Sequence, residues 1–567
     1  YNFKREYATR SFNTVYASFD IWKGIKFAST FSYDFVMNKS RAWKDPRTSD
    51  GDDDNGRFSK DYNDITNMTW SNILTYQTKI KKKHNLDLLA GYEINSKESD
   101  GLGTTISNFA RWDKPEVNNG VVYQSMGGSN STTRIVSYIT RANYDYDNKY
   151  YLGASWRTDG SSRLARENRW GNFWSLSGAW RVSSESFMKP LQNWLSDLKL
   201  RVSYGVNGTL PSSYYGYMGL SSLTSNYNDN PGIKQSQLEN KELTWETNYN
   251  FNSGIDLGFF DNRLNVTFEY YVRTTKNLLY SRPLSLATGF SSYLANIGKL
   301  QNKGYELEIR STNIETKDFR WSTSLNLGHN ANKILKLDGD LKQVTSGTSI
   351  HKVGLPYSTY YMIEFAGIDP VDGEPMFYKN TTDENGNLNK ETTKDPRSAE
   401  KVILQCADPT ITGGLGNSIS YKWFDLNFNV NFSFGAWNYD GAAGKLEHGG
   451  DGTLNIPIYY RKRWQKEGDE TSIERFVVGR SISMTDYATT RRLYSGDYVR
   501  LKNLTFGFTL PKTWTRKVGI DNIRLYASGN NLLTWAAYDY IDPESGSSPS
   551  WDTPPMRTYT FGLEVKF

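Results

Sequence analysis

Apolar and polar residues alternate with a period of two in segments of about ten residues from one end of the chain to the other, the pattern of half-buried β-strands. The last segment is the clearest. Tyr559, Phe561, Leu563, Val565 and Phe567 share one face, while Thr558, Thr560, Gly562, Glu564 and Lys566 share the other. Ten residues rising about 3.3 Å each and tilted by about 40° span about 25 Å, the height of the apolar band of an outer-membrane barrel. The same alternation sets Leu243, Trp245, Tyr249, Phe251, Ile255, Leu257 and Phe259 against Glu246, Asn248, Asn250, Asn252 and Asp256. It also sets Phe424, Leu426, Phe428, Val430, Phe432 and Phe434 against Asp425, Asn427, Asn429, Asn431 and Ser433.

Taken together, such segments predict seventeen strands, near 11–20, 24–35, 65–77, 84–94, 134–146, 149–159, 172–182, 197–207, 243–259, 262–273, 303–311, 319–329, 413–421, 424–435, 497–510, 521–531 and 556–567. Their connectors alternate. Those at 21–23, 78–83, 147–148, 183–196, 260–261, 312–318, 422–423 and 511–520 are short. Most of the others, such as 36–64, 95–133, 330–412 and 436–496, are long; 160–171 does not separate cleanly. Short periplasmic turns alternating with long extracellular loops are the asymmetry of a transmembrane barrel. Trp22, Tyr150, Phe260, Trp321, Trp423 and Trp514 lie in or beside the short connectors, where an aromatic girdle belongs. A soluble sandwich or propeller also alternates, but it seldom needs seventeen strands joined in this short–long rhythm. The expected fold is therefore all-β: a single transmembrane antiparallel β-barrel domain over residues 1–567.

Composition agrees with this. Aromatics make up 15% of the chain, with 39 Tyr and 17 Trp, yet the mean hydropathy is negative. No apolar run is long enough for a membrane helix, whereas alternating barrel strands average out as polar. A net charge of +6 spread over 567 residues forms no basic stripe and gives no reason to expect nucleic acid. The one cysteine, Cys406, has no disulfide partner within the chain, and His84, His329, His351 and His448 lack ligand spacing.

Candidate chemistry is correspondingly sparse. Asp50, Asp52, Asp54 and Asp61 are spaced like the oxygen ligands of a calcium loop, although Asn55 stands where such a loop needs glycine; a solvated acidic loop is the alternative. Asp369, Asp372, Glu374 and the stretch 383–389 are acidic and turn-rich, suited to a cation or to hairpin tips. Arg141, Arg157, Arg310, Glu306 and Glu308, with Lys199 and Arg201, fall on the face opposite the apolar one. They are expected to line the lumen, touching cargo or pairing with one another. Two carboxylates such as Glu306 and Glu308 have the spacing of a glycosidase pair, but a polar lumen needs such groups anyway, and no nucleophile, base and orienting acid come together. The chain is not expected to be an enzyme. Trp437, Tyr439, Tyr459 and Tyr460, with Trp464, and a second group of Tyr357, Tyr360, Tyr361 and Phe365, lie in long loops. There they either offer aromatic faces to sugars and peptides or pack the loops.

The segment Gly496-Asp-Tyr-Val-Arg-Leu-Lys-Asn-Leu-Thr-Phe-Gly-Phe-Thr-Leu-Pro511 resembles the SusC/RagA family of TonB-dependent outer-membrane transporters of Bacteroidetes. So do Arg157-Thr-Asp-Gly-Ser-Ser-Arg163, Lys199-Leu-Arg-Val-Ser-Tyr-Gly205, the block 296–309, Gly367-Ile-Asp-Pro-Val-Asp-Gly373 and Asn530-Asn-Leu-Leu-Thr534. The resemblance implies a barrel of 22 strands closed by a plug, transport powered by TonB, and a SusD-like surface lipoprotein over the mouth. It implies uptake of oligosaccharides or oligopeptides through the outer membrane of a Gram-negative bacterium. No residue here matches the plug, the TonB box or the first strands. The seventeen strands are expected to be the C-terminal part of the barrel, with the strands near 11–20 and 556–567 pairing outside the chain. The competing reading is a structural or adhesive barrel that transports nothing.

Overall fold

The computed structural model describes every residue except 224, 229, 338, 340, 384, 385, 451–454, 479–486, 539 and 546–553. Among the described residues, seventeen strands belong to one sheet. They are β1 Phe3–Trp22, β2 Ile25–Lys44, β3 Arg57–Ile80, β4 His84–Phe109, β5 Gly120–Tyr146, β6 Tyr150–Ser161, β7 Trp170–Arg181, β8 Leu195–Thr209 and β9 Glu246–Phe259. They continue as β10 Leu264–Lys276, β11 Lys299–Glu315, β12 Phe319–Lys336, β13 Ile411–Tyr421, β14 Phe424–Phe434, β15 Tyr498–Thr509, β16 Asn522–Ala536 and β17 Thr558–Lys566. Every predicted segment has its strand. The short connectors turn on residues in the left-handed region, including Asp147 and Asn148 at φ 55° and 54° and Gly24 at φ 81°. Asp, Asn and Gly tolerate that region best.

The main departure is length. β3, β4 and β5 run for 24, 26 and 27 residues, about twice what a membrane crossing needs. Their long-connector ends therefore stand well beyond the apolar band. The predicted connectors 36–64 and 95–133 shrink to 45–56 and 110–119 as a result. A second departure lies inside connector 330–412. It holds a four-stranded sheet of Gln343–Ser346, Ser349–Lys352, Thr359–Ile363 and Lys401–Cys406, and a three-stranded one of Phe365–Ile368, Pro375–Tyr378 and Thr392–Thr393.

The chain divides into two compact units. The first comprises Tyr1–Trp180, Arg201–Phe251 and Thr275–Ile297; the second comprises Arg181–Leu200, Asn252–Thr274 and Gly298–Phe567. Within the first, β1 to β7 pair antiparallel in chain order. Its apolar face carries two aromatic rows. Tyr92, Tyr138 and Trp170 follow one another at ring separations of 5.2 and 6.2 Å, and Tyr146, Tyr150 and Trp180 at 6.3 and 6.3 Å. Tyr138 and Tyr146 are eight residues apart on β5, about 26 Å along the strand and about 20 Å along the normal of a tilted barrel. Between the rows Leu152 and Leu176 stay 62% and 57% exposed, which suits a hydrocarbon surround and no aqueous one. Buried clusters gather at the long-connector ends: Trp43, Phe58, Ile106 and Phe109 in one place, and Leu164, Phe173, Leu243 and Trp245 in another. At the second, a Cβ on Gly208 would collide with the Phe173 ring.

Beside the first cluster, the fully buried Asp45 accepts the Arg47 Nε at 2.8 Å, Nη2 at 2.7 Å and backbone N–H at 3.0 Å. The Arg47 hydrogen bonds hold the Asp45 carboxyl at about 2, below its ordinary 3.8. A lowered carboxylate pKa stabilises the fold fully above pH 3.8, and that stabilisation is lost as pH falls through about 2. It amounts to roughly 1–2 kcal/mol once screening of the part-exposed Arg47 is allowed for. Arg47 also lies 3.5 Å over the Trp112 ring. Emission from Trp112, referenced to a Trp112→Phe variant, is expected to change between pH 4 and 2 and to lose that transition in Asp45→Asn.

Within the second unit, β11 to β17 pair antiparallel in chain order. The smaller core of Val182, Met188 and Leu195 packs there against Leu198, Leu257 and Phe259.

Candidate functional site on the polar face and the long loops

Strand alternation places the predicted charged residues on the face opposite the apolar one of their own strands, and most of them are internally paired. Arg141 donates to Asp87 at 3.1 Å. Arg157 donates to Asp159 at 2.7 Å and to Ser137 at 2.9 Å, and stands 3.7 Å from Glu93. Arg310 pairs with Glu308 at 2.5 Å, which ties up one of the two carboxylates that suggested a glycosidase. Glu306 is exposed on the same face, opposite Gly328. Arg524 grips Asp425 with two hydrogen bonds of 2.7 and 3.1 Å. In the second unit this face holds a recess of about 340 Å³ whose lining includes Asn265, Arg310, Ser324, Gly416, Asn427 and Asn429. A Cβ on Gly416 would lie 2.6 Å from the Ser324 hydroxyl and 2.9 Å from the Asn429 amide, so glycine keeps this recess open. Its amides and hydroxyls offer neutral donors and acceptors, suited to sugar hydroxyls or peptide bonds.

The four aspartates of the calcium expectation have separate surroundings. Asp61 lies within β3 opposite Ser40 and Gly103, Asp54 pairs with Arg57 and Asp50 accepts from Asn2 at 3.3 Å. Among the described residues no three His, Cys, Asp or Glu side chains gather as metal ligands would. The Asp369–Glu374 turn is likewise neutralised from within. Lys394 reaches Asp369 at 2.6 Å and Asp372 at 2.7 Å, and these hydrogen bonds hold both carboxyls below the ordinary range. Arg475 donates to Glu374 at 2.7 Å. Within the acidic stretch 383–389, Glu384 and Asn385 lie outside the described residues.

The loop aromatics fall into two kinds. Trp437 and Tyr439 are half-buried on a short strand, Trp437–Tyr439, that pairs with Leu493–Ser495. Tyr459 is also half-buried, its ring 5.5 Å from that of Tyr540, which is 70% exposed. Of the two roles open to these rings, Tyr460 takes the packing one. It is 1% exposed, and its hydroxyl donates to Glu474 at 3.1 Å. The group around it was not anticipated. Fully buried Glu474 takes Arg491 at 2.5 Å, while Glu447 takes Arg492 at 3.1 Å and the Tyr459 hydroxyl. Tyr538 stacks on Tyr494 at 3.7 Å and donates to Asp440 at 3.0 Å. Burial first, then the neighbouring carboxylates, push the Tyr459, Tyr460 and Tyr538 hydroxyls far up, so they remain protonated donors at any physiological pH. In the second predicted group, Tyr360 is buried, Tyr357 stacks on His351 at 4.1 Å, and Phe365 packs on Phe377 at 6.1 Å.

One further anchor fixes loop to strand. Arg500, 2% exposed on β15, donates to Asp542 at 2.6 Å, Glu544 at 2.7 Å and Thr534 at 3.0 Å, and Lys502 joins Glu544 at 2.6 Å. Arg500→Ala leaves Asp542 without its ion-pair partner and Glu544 with Lys502 alone. It is expected to cost about 3 kcal/mol locally and to expose residues 540–545 to protease while the strands stay intact, as limited proteolysis followed by mass mapping would read.

Antiparallel strands that alternate an apolar, aromatic-rich face with an ion-paired polar one, joined by short and long connectors in turn, define a transmembrane β-barrel wall. The chain belongs to the TonB dependent receptor-like β-barrel family, whose model matches residues 1–532. It is 32% identical to TonB-dependent receptor P3 of Formosa agariphila over 97% of this chain and 57% of that protein. It is 30% identical to TonB-dependent receptor SusC of Bacteroides thetaiotaomicron over 76% of this chain and 44% of that one. Among solved structures it resembles that of the RagAB peptide transporter, with a TM-score of 0.88 at 26% identity, covering 100% of this chain and 62% of the other. The chain thus spans about half the length of these curated relatives. The SusC/RagA likeness seen in the sequence is confirmed.

Proposed function

We propose that this chain forms the wall and loops of an outer-membrane importer that takes up an oligomeric nutrient, an oligopeptide or oligosaccharide, with TonB supplying energy and a SusD-like surface lipoprotein helping capture. The observation that carries this reading is the polar face: most of its predicted charges are paired internally, and an open recess lined mainly by amides and hydroxyls, beside Arg263 and Arg310, remains for a polar cargo backbone. A relative named SusC and a structural neighbour described as a peptide transporter support import over adhesion. The family consists of receptors and transporters, in line with a non-enzymatic role.

The test is uptake by a deletion strain given labelled oligopeptides and oligosaccharides in parallel. Loss of one uptake, restored by the gene, supports import and names the cargo class; unchanged uptake of both with intact surface adhesion points to the adhesive barrel. Loop aromatics are expected to contribute to capture. Replacing Trp437, Tyr439 and Tyr459 with alanine, with buried Tyr460 left in place, should weaken cargo binding about tenfold, as calorimetry with the lipoprotein present would measure. Unchanged affinity returns these rings to packing.

A further inference from the structure

The upper part of β5 is an open sheet edge. β5 pairs with β4 along its length, from Phe109↔Gly120 to His84↔Tyr146, but its register with β6 begins only at Ile135↔Ser161. Residues Gly120–Arg134 therefore have a partner on one side alone, over roughly 50 Å of strand. The chain's own stitching stops at the lower end of this stretch. Tyr215 accepts the Thr132 N–H at 3.0 Å, Ser162 accepts the Arg134 N–H at 2.9 Å, and Ser162 N–H returns to Arg134 at 2.9 Å. Above it every residue from Val121 to Asn130 is exposed, Val121, Tyr123 and Met126 each by 71%. Among the described residues no hydrogen bond reaches the open backbone side between Val121 and Ser131.

Proteins protect such edges with Lys, Pro or inward charges, because bare N–H and C=O rows recruit other strands. Here Gly120–Thr133 contains no charged residue and no proline. Against β4 the register shifts once, at Thr105/Ile106, and Asn108 takes a left-handed φ of 61°; between these points and Ser131 the pairing register is otherwise continuous. An edge this long and this unguarded would aggregate unless it were covered in the assembled state.

We propose that residues 121–131 take up a strand from the surface lipoprotein partner, so that the partner is held by main-chain hydrogen bonds as an added strand of the sheet. This rests on the reading above that the chain works with such a lipoprotein. Three observations favour that occupant. The edge lies at the long-connector end, beyond the twelve residues of β5 that pair with β6, where a surface protein reaches it. Its length exceeds what a short cargo would cover. Its lack of guards fits a permanent cover better than a transient one.

The experiment is amide hydrogen exchange of the full-length transporter with and without its purified lipoprotein. The proposal predicts that alternate amides within 121–131 exchange about tenfold more slowly, or slower still, in the complex. It also predicts that a Tyr123→Lys and Met126→Lys double variant, inserted into the membrane at the normal level, binds the lipoprotein at least about tenfold more weakly. A lipoprotein that binds while 121–131 exchange at the free rate overturns the added strand and leaves the transporter–lipoprotein pair standing. No binding at all overturns both. Protection that grows with transporter concentration alone assigns the edge to a second copy, and protection by a synthetic oligopeptide without lipoprotein assigns it to cargo. Either result overturns the proposal.

Discussion

Glu474→Ala is expected to destabilise the long loop 436–496 by about 3 kcal/mol, because it leaves the largely buried Arg491 guanidinium with only the more distant Glu447 carboxylate, 3.9 Å away. Glu474 has no exposed surface; it accepts Arg491 at 2.5 Å and the Tyr460 hydroxyl at 3.1 Å. Arg491 is itself largely buried, and although burial opposes its charge, Glu474, Tyr460 and Glu447 together raise its pKa further. A guanidinium is not deprotonated in proteins, so Arg491 cannot escape the loss by shedding a proton. Glu474→Gln keeps the shape and one acceptor and should cost less. Local amide exchange across 455–478 and 487–497 distinguishes the two: the alanine variant opens these segments by several orders of magnitude, whereas the strands β14 and β15 on either side keep their protection. Equal protection in all three proteins would mean that the ion pair carries no weight.

The second large effect belongs to the apolar face. Leu152→Lys and Phe428→Lys should each cost about 2–4 kcal/mol, the price of an ammonium near the bilayer midplane. Asn429→Gln, one residue from Phe428 but on the other face, should stay within about 0.5 kcal/mol. Leu152 sits between the aromatic rows and Phe428 is opposite Asn417 and Leu504. Folding yields into bilayers of the three variants, measured by heat-resistant mobility on gels, check the contrast.

Why the sequence revealed the sheet so fully and the site so poorly follows from where each signal arises. A strand that crosses hydrocarbon must present apolar residues at every second position, so Phe424–Phe434 could be read residue by residue. Where β4 and β5 leave the membrane, that constraint ends. Gly101, Gly103, Gly127, Gly128 and a run of Ser and Thr follow no period, and the extension of both strands was missed. The small sheets within 343–406 were missed for the same reason, being too short to show a period. The face of each charged strand residue was legible, because alternation assigns it. Its partner was legible only where partners were near, as with Glu308 and Arg310. The buried loop network was not legible at all. Glu447 meets Arg492 across 45 residues and Asp440 meets Tyr538 across 98, and nothing in a single sequence links such pairs. Tyr460 is an instance: the sequence leaves it and its neighbour Tyr459 equally open to binding or packing, and the 3-10 turn Ile458–Lys462 directs Tyr460 inward.

The central claim is that the two faces of this sheet meet lipid and water respectively. It is tested most directly by a nitroxide scan of β14 in the full-length protein in bilayers, one label per position from Asp425 to Ser433. Collision with oxygen, which concentrates in hydrocarbon, should peak at 426, 428, 430 and 432. Collision with a water-soluble nickel complex should peak at 425, 427, 429, 431 and 433, giving two curves of period two in opposite phase. Curves in phase with each other, or nickel access at 426, 428, 430 and 432, would contradict the membrane-wall account.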